Sequence, residues 1–203
     1  MKKRLTLCML LASAMSLLVA LPTAASGSTE SVLKAKILSL SNLPTGWSTD
    51  TTATQSGDVG CLAGLKENHN ETKVKVEYED GQFPELEELL TAGPAAGSAY
   101  RSLEKSLNHC TSYSFSSGGT KATVTVGALS FPSVGNQSAA YALQISAEGE
   151  SAESDLVMFR VGKIYGAVEY ADLGTPDPDQ AQAFITEAVD KVEGKTVTIP
   201  TTF

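Results

Sequence analysis

His69 stands between Glu67 and Glu71, and alternate residues of an extended segment share a face, so these three side chains have the donor types of a metal site. A solvated polar loop accounts for the same three residues. His109 falls in the last turn of a helix, where a partly positive imidazole suits the helix dipole. No serine, histidine and acid set is marked by a nucleophile-elbow motif. No phosphate-cradling or dinucleotide glycine motif occurs. Asp172, Asp177 and Asp179 resemble a cation loop, but Pro176 and Pro178 interrupt them and helix capping explains them better. Glu85, Glu87 and Glu88 read as the wet face of a short acidic helix. No catalytic residue, metal ligand or cofactor is assigned on this basis, and an enzyme is not expected. A hydrolase with an unrecognised site is kept as a third reading. Perturbed carboxylates in a pocket would favour it.

Binding has more material to work with. Trp47, Tyr100, Tyr113, Tyr141, Tyr165 and Tyr170 are amphipathic rings of the kind that line small-molecule clefts. Arg160, beside an apolar strand, is an anchor for an anionic group. These seven are the candidate ligand-binding residues. The competing account is core packing for the rings and an ordinary acid partner for the arginine.

The element that must position them is the helix over 94–110. Its apolar residues are Ala96, Tyr100, Leu103, Leu107 and Cys110, in steps of four and three, so they form one stripe. Arg101, Glu104, Lys105 and Asn108 point to water. Cys110 ends the stripe and Cys61 is its partner once the leader is gone. In an exported chain an even pair suggests a disulfide. Closing a loop of about 50 residues stabilises by roughly 4 kcal/mol in the chain-entropy picture. Two buried free thiols are the alternative.

Residues 1–26 read as a signal peptide. Lys2, Lys3 and Arg4 precede an apolar run, and small residues at Thr23, Ala24, Ala25 and Ser26 allow cleavage after Ala25 or Ser26. Cys8 lies at the start of the apolar run, not after it, so a lipid anchor is not expected. Removing the three leader cations takes the formal charge from −8 to −11. Such a surface repels phosphate backbones, so nucleic acid is excluded as a partner, and docking on anionic lipid is disfavoured. No later stretch is long and apolar enough to span a bilayer.

In chain order, residues 29–40 predict a helix with Leu33, Ile37 and Leu40 on one face. A turn follows at Pro44–Gly46. Residues 72–79 alternate, with Val74, Val76 and Tyr78 inward and Lys73, Lys75, Glu77 and Glu79 outward, which predicts a strand with one wet face. Asp80-Gly81 is a turn, and 83–90 predict a short helix opened by Pro84. After the central helix, Tyr113 and Phe115, a Ser-Ser-Gly-Gly turn and a long strand predict a hairpin, with a bulge beside Gly127. Strands follow over 138–146, around Leu156–Phe159 and over 164–170. The last helix has Asp177 as N-cap, Pro178 at its first position, Gln180 as capping-box partner and Gly194 as its stop. Residues 195–203 are a threonine-rich tail, one more strand or a disordered end. The expected fold is α+β. It is an antiparallel sheet of about five to six strands packed by helices, a single-domain sandwich over 27–203 with one disulfide.

The stretches LSNLPTGWS (40–48), Cys61, AYRSLEKSLNHC (99–110), LSFPSVGNQSAAY (129–141) and DLVMFRVGKIYGAVEY (155–170) resemble the PknH-like extracellular sensor domain family of actinobacterial secreted proteins and lipoproteins. The resemblance implies an antiparallel sheet packed by helices and a cleft for an unidentified ligand. The chain departs from the family in carrying cysteines for one disulfide rather than two. It also lacks a kinase domain, a spanning helix and a lipobox.

The expected function is therefore a non-catalytic, secreted or envelope-associated domain of the sensor type. Its partner would be an apolar or amphipathic small molecule or lipid, held between the sheet and the 94–110 helix. The alternative is a cell-envelope protein-interaction domain.

Overall fold

The computed structural model describes residues 27–50, 60–62, 71–117, 120–197 and 199. In chain order the elements are α1 (Gly27–Lys36), β1 (Ser48–Thr49), β2 (Thr72–Glu79), β3 (Glu85–Ala92), α2 (Ala96–Asn108), β4 (Ser112–Ser117), β5 (Thr120–Ala128), β6 (Gln137–Ala147), β7 (Glu150–Val161), β8 (Ile164–Asp172) and α3 (Pro178–Glu193). The strands form one eight-stranded antiparallel sheet in the order β1-β2-β3-β8-β7-β6-β5-β4. The last strand thus pairs on one side with the β2–β3 hairpin and on the other with the β4–β7 meander.

The helices cover the sheet in a staggered way. One apolar cluster joins Ala96, Tyr100 and Leu107 of α2 to Val124, Leu143, Leu156 and Met158. The other joins Leu33 of α1 and Phe184, Ile185, Val189 and Val192 of α3 to Leu86, Leu90, Val157, Phe159, Val168 and Tyr170 on the opposite face. Strand β7 feeds both clusters. That explains the unbroken apolar run Leu156–Phe159, in which all four residues are buried. Strand β5 alternates buried and exposed positions, as a strand with one wet face should.

The architecture overturns the expected sandwich of five to six strands. The sheet has eight strands in place of the expected five to six, and α1, α2 and α3 supply the packing layers on its two faces. Strand β3 stands where a helix is expected, and the two-residue β1 forms the edge of the sheet. Residues 83–90 do not form a helix. Leu86, Leu89 and Leu90 have helical spacing, but the segment pairs along its whole length with β2 and β8. Glu87 and Glu88 are buried and Glu85 is half-buried, so the pattern of apolar letters hid the period of two.

Smaller corrections follow the same logic. Helix α1 ends at Lys36, and Leu40 is exposed in a short 3₁₀ turn (Leu40–Asn42) while Leu38 is buried. The ladder between β5 and β6 runs through Gly127 without a bulge, because Leu129 and Phe131 lie beyond the strand end. The outward face of β2 is half-buried rather than wet.

Helix α3 follows its sequence signals closely. Asp177 Oδ1 accepts from the backbone N–H groups of Asp179 and Gln180, both at 3.0 Å, and Gly194 ends the helix with φ of 84°. The Gln180 side chain takes a different role. Its Oε1 accepts the hydroxyl of Tyr170, which ties the helix start to β8.

Candidate functional site

The seven expected ligand-binding residues divide between the two faces of the sheet. Trp47 and Tyr170 pack on Phe184 in the α1/α3 layer, with ring centroids 4.9 and 5.5 Å from it. Tyr100, Tyr113, Tyr141 and Tyr165 belong to the α2 layer. Tyr100 is 1% exposed. Tyr141 donates to Asn108 Oδ1 at 3.0 Å, and Tyr165 donates to Glu71 Oε2 at 2.9 Å. Arg160 donates to Gln137 Oε1 and to the Gly162 carbonyl. No single cleft gathers all seven, and α2 meets the sheet through packed side chains. Cys61 and Cys110 are joined by a disulfide. Glu67 and His69 lie outside the described residues. His109 is exposed, and its Nδ1 lies 2.8 Å from the Lys105 carbonyl oxygen.

A concavity exists elsewhere, on the α2-side face at the β1–β2–β3–β8 end of the sheet. Five carboxylates line it: Asp50, Glu77, Glu85, Glu87 and Glu169. Its volume is about 20 Å³, room for one water-sized group. The strand register builds it. Glu77 pairs directly with Glu87, and Glu87 pairs directly with Glu169, so three glutamates stand in a row across three neighbouring strands. Side chains at such positions are roughly 5 Å apart at Cβ. Glu79 and Glu85 form the next row toward the rim. One cation enters the row: Lys75 Nζ lies 2.9 Å from Glu87 Oε2 and also pairs with Glu77.

The electrostatics reflect crowding of like charge in a dry site. Burial raises Glu85 to about 8, with Asp50 and Glu169 adding to the effect. Burial also holds Glu87 well above the usual carboxylate range. Lys75 opposes this, but Glu169 and Glu77 reinforce it. Glu169 is raised by burial although Ser154 Oγ donates to its Oε1 at 2.6 Å. For Lys75, burial pulls the ammonium down, but Glu87 and Glu77 outweigh it and the net shift is upward. Glu87 is 9% exposed, and its Oε1 has no hydrogen-bond partner among the described residues. Among those residues, no set of three His, Cys, Asp or Glu side chains converges as a metal ion would need.

The sequence conceals the acidic row, because the spacing over 83–90 predicts a helix and so separates Glu87 from Glu77 and Glu169. One signal was present. The Asp80-Gly81 turn directly after the alternating strand 72–79 is what a hairpin needs, and β3 is its second arm.

The fold is similar to one already solved. The crystal structure of the extracellular domain of PknH from Mycobacterium tuberculosis superposes with a TM-score of 0.56, covering 86% of this chain and 99% of that chain at 15% sequence identity. No family model matches the sequence. No curated protein matches it. At that identity the shared feature is the fold.

Proposed function

We propose that this chain is a non-catalytic extracytoplasmic binding domain of the sensor type, exported by the leader at 1–26 and working as one domain over 27–203. The observation that carries the reading is the fold held in common with the extracellular domain of a kinase over nearly all of that domain. The disulfide between Cys61 and Cys110 agrees with an oxidising compartment. The rings expected to hold an apolar or amphipathic ligand against α2 are engaged in packing, so the working surface of this reading is the acid-lined concavity.

Native mass spectrometry of the protein purified from its own host tests this. The expected result is a mass lacking the leader and two hydrogens below the reduced value, with a small molecule released on denaturation. A full-length protein that is reduced and retained in the cytosol overturns the reading.

A hydrolase is the second reading, and one observation favours it. Raised carboxylates in a pocket are the materials of general acid–base catalysis. Against it stands the size of the concavity, which admits one small group and not a bond flanked by two sugar rings. Turnover of a chromogenic glycoside or ester that disappears in both Glu85→Gln and Glu87→Gln would establish the hydrolase. An envelope protein-interaction surface would require a broad exposed apolar patch. Among the described residues the large exposed apolar side chains are Val32, Leu40 and Leu173.

A further inference from the structure

We propose that the acid-lined concavity between β1, β2, β3 and β8 binds a single ammonium group, that of a small primary amine. The proposal rests on the binding reading above and names the ligand class for it. Three observations converge. The lining carries five carboxylates, and among the described residues Lys75 is the cation seen to pair with the central row. The volume of about 20 Å³ matches one NH₃⁺ head, close in size to a water. Glu87 Oε1 is buried and without a partner among the described residues, so an acceptor is ready where the row is deepest.

The chain already shows the chemistry once. The Lys75 ammonium bridges Glu77 and Glu87, with N–H groups directed at carboxylate oxygens. A second ammonium entering from the rim, past Asp50 and Glu85, would complete the row on its Glu169 side. An ammonium has three donors in a tetrahedral set, and charge-assisted bonds to carboxylates are the strong ones. A metal ion is the weaker candidate, because among the described residues no three carboxylates are set to hold one, whereas an ammonium takes longer bonds and is held by two. A quaternary ammonium lacks the donors and is too large. The alkyl part of a primary amine would trail out through the open side, where Asp50, Glu77 and Glu85 are partly exposed.

Protons compete for the same oxygens. The charged or titratable groups facing the row are Asp50 beyond β1, Lys75, Glu77 and Glu79 on β2, Glu85 on β3, Glu169 on β8 and the Tyr113 phenol of β4, which feels the Glu169 charge, with the Ser154 hydroxyl on β7. Amine binding should therefore strengthen as pH rises from 5 to 8 and release protons.

The test is thermal melting and calorimetric titration of the mature, disulfide-bonded protein in phosphate-free buffer, acetate at pH 5 and HEPES at pH 8. Methylammonium chloride is compared with tetramethylammonium, sodium and calcium chlorides at equal ionic strength. Methylammonium should raise the melting temperature at pH 8 and much less at pH 5. Tetramethylammonium and sodium should have no such effect. Glu87→Gln should weaken methylammonium binding about tenfold or more. Glu169→Gln gives the same readout if Glu87→Gln does not fold. Equal shifts with tetramethylammonium, a response selective for calcium, or methylammonium binding undiminished in both variants would each overturn the proposal. A different molecule released from the native protein would also overturn it while leaving the binding-domain reading in place.

Discussion

Glu88 Oε2 accepts a hydrogen bond from the backbone N–H of Leu38 at 2.7 Å. The Tyr78 hydroxyl donates to the carbonyl of the same leucine at 3.0 Å, so side chains of β2 and β3 together hold both polar groups of the residue that follows α1. Glu88 is fully buried, and its other oxygen has no partner among the described residues. Burial raises it to about 8, against the Leu38 hydrogen bond and the Lys191 charge. It is thus mostly a neutral acid at pH 7. Glu88→Ala should strand the Leu38 N–H and cost about 1–3 kcal/mol. Glu88→Gln keeps an acceptor and carries no charge, so it should match the parent near pH 6 and exceed it at pH 9. Urea unfolding at the two pH values measures both. A Glu88→Ala protein as stable as the parent would show that the bond to Leu38 contributes nothing.

The same sign holds for the other carboxyls that burial raises. A carboxyl whose folded pKa lies above its unfolded value holds a proton in the native state that the unfolded chain has lost. Stability then falls as pH rises from the unfolded value to the folded one. Glu85 and Glu88 are raised to about 8, and Glu79, Glu87, Asp155 and Glu169 are raised as well. The window is therefore about pH 4.5 to 8. A melting temperature higher at pH 5 than at pH 8 by about 5 °C or more is expected for a domain of this size. A flat profile, or one rising toward pH 8, would mean that the acids are better solvated than their burial implies.

Sequence patterns revealed the elements whose environment is uniform along their length. Strand β7 reads as apolar on both faces and is covered on both. Helix α3 announces its start with Asp177-Pro178 and its end with Gly194. The β2–β3 hairpin failed for a physical reason. Glu87 and Glu88 are buried on opposite faces of one strand, so neither face spells an apolar alternation. The site failed for a further one. Glu77, Glu87 and Glu169 meet only through strand register, and register across β3 and β8 joins residues 82 positions apart, which no local spacing encodes. The rings marked as ligand contacts were amphipathic by type, but type does not say which face of the sheet a residue takes.

Gly166 stands opposite Leu90 in the ladder between β8 and β3. A Cβ there would sit 2.5 Å from the Leu89 carbonyl oxygen, 2.9 Å from Leu90 Cδ2 and 3.0 Å from Phe159 Cζ. Its need is for space, and the nearest atom is backbone in a paired strand, which has no room to give. Gly166→Ala should destabilise by about 3 kcal/mol, at the upper end of overpacking costs. Gly149→Ala, with nothing within 4 Å of its Cβ but a φ of +84°, separates backbone strain from crowding. Crowding predicts that Gly166→Ala is the worse of the two in chemical denaturation.

Tyr100 offers a way to decide whether the α2 rings are core or ligand contacts. Its ring is 1% exposed, its hydroxyl has no partner among the described residues, and burial raises it to about 12. An unpaired buried hydroxyl costs free energy, so Tyr100→Phe should leave stability unchanged or improve it by about 1 kcal/mol. Binding makes the distinction: a core hydroxyl leaves binding of the native ligand intact in Tyr100→Phe, and a ligand-facing hydroxyl loses it.

The disulfide fastens the turn that carries Cys61 to the end of α2. Cys61 lies in a 3₁₀ turn (Gly60–Leu62), and Cys110 follows the last turn of α2, 49 positions along the chain. Gly60 in that turn has φ of +58°, and a Cβ there would fall 2.2 Å from the Tyr113 ring, so the turn lies against β4. Opening the bond frees a loop whose closure is worth roughly 4 kcal/mol of denatured-state entropy. A Cys61→Ser, Cys110→Ser double variant should melt about 10 °C lower, because one kcal/mol moves a domain of this size by a few degrees. The sheet ladders do not pass through either cysteine, so its far-UV circular dichroism below the transition should match the parent. A loss of strand signal at low temperature would mean that the bond is needed to form the sheet and not only to stabilise it. That outcome would also make export into an oxidising compartment a condition of folding.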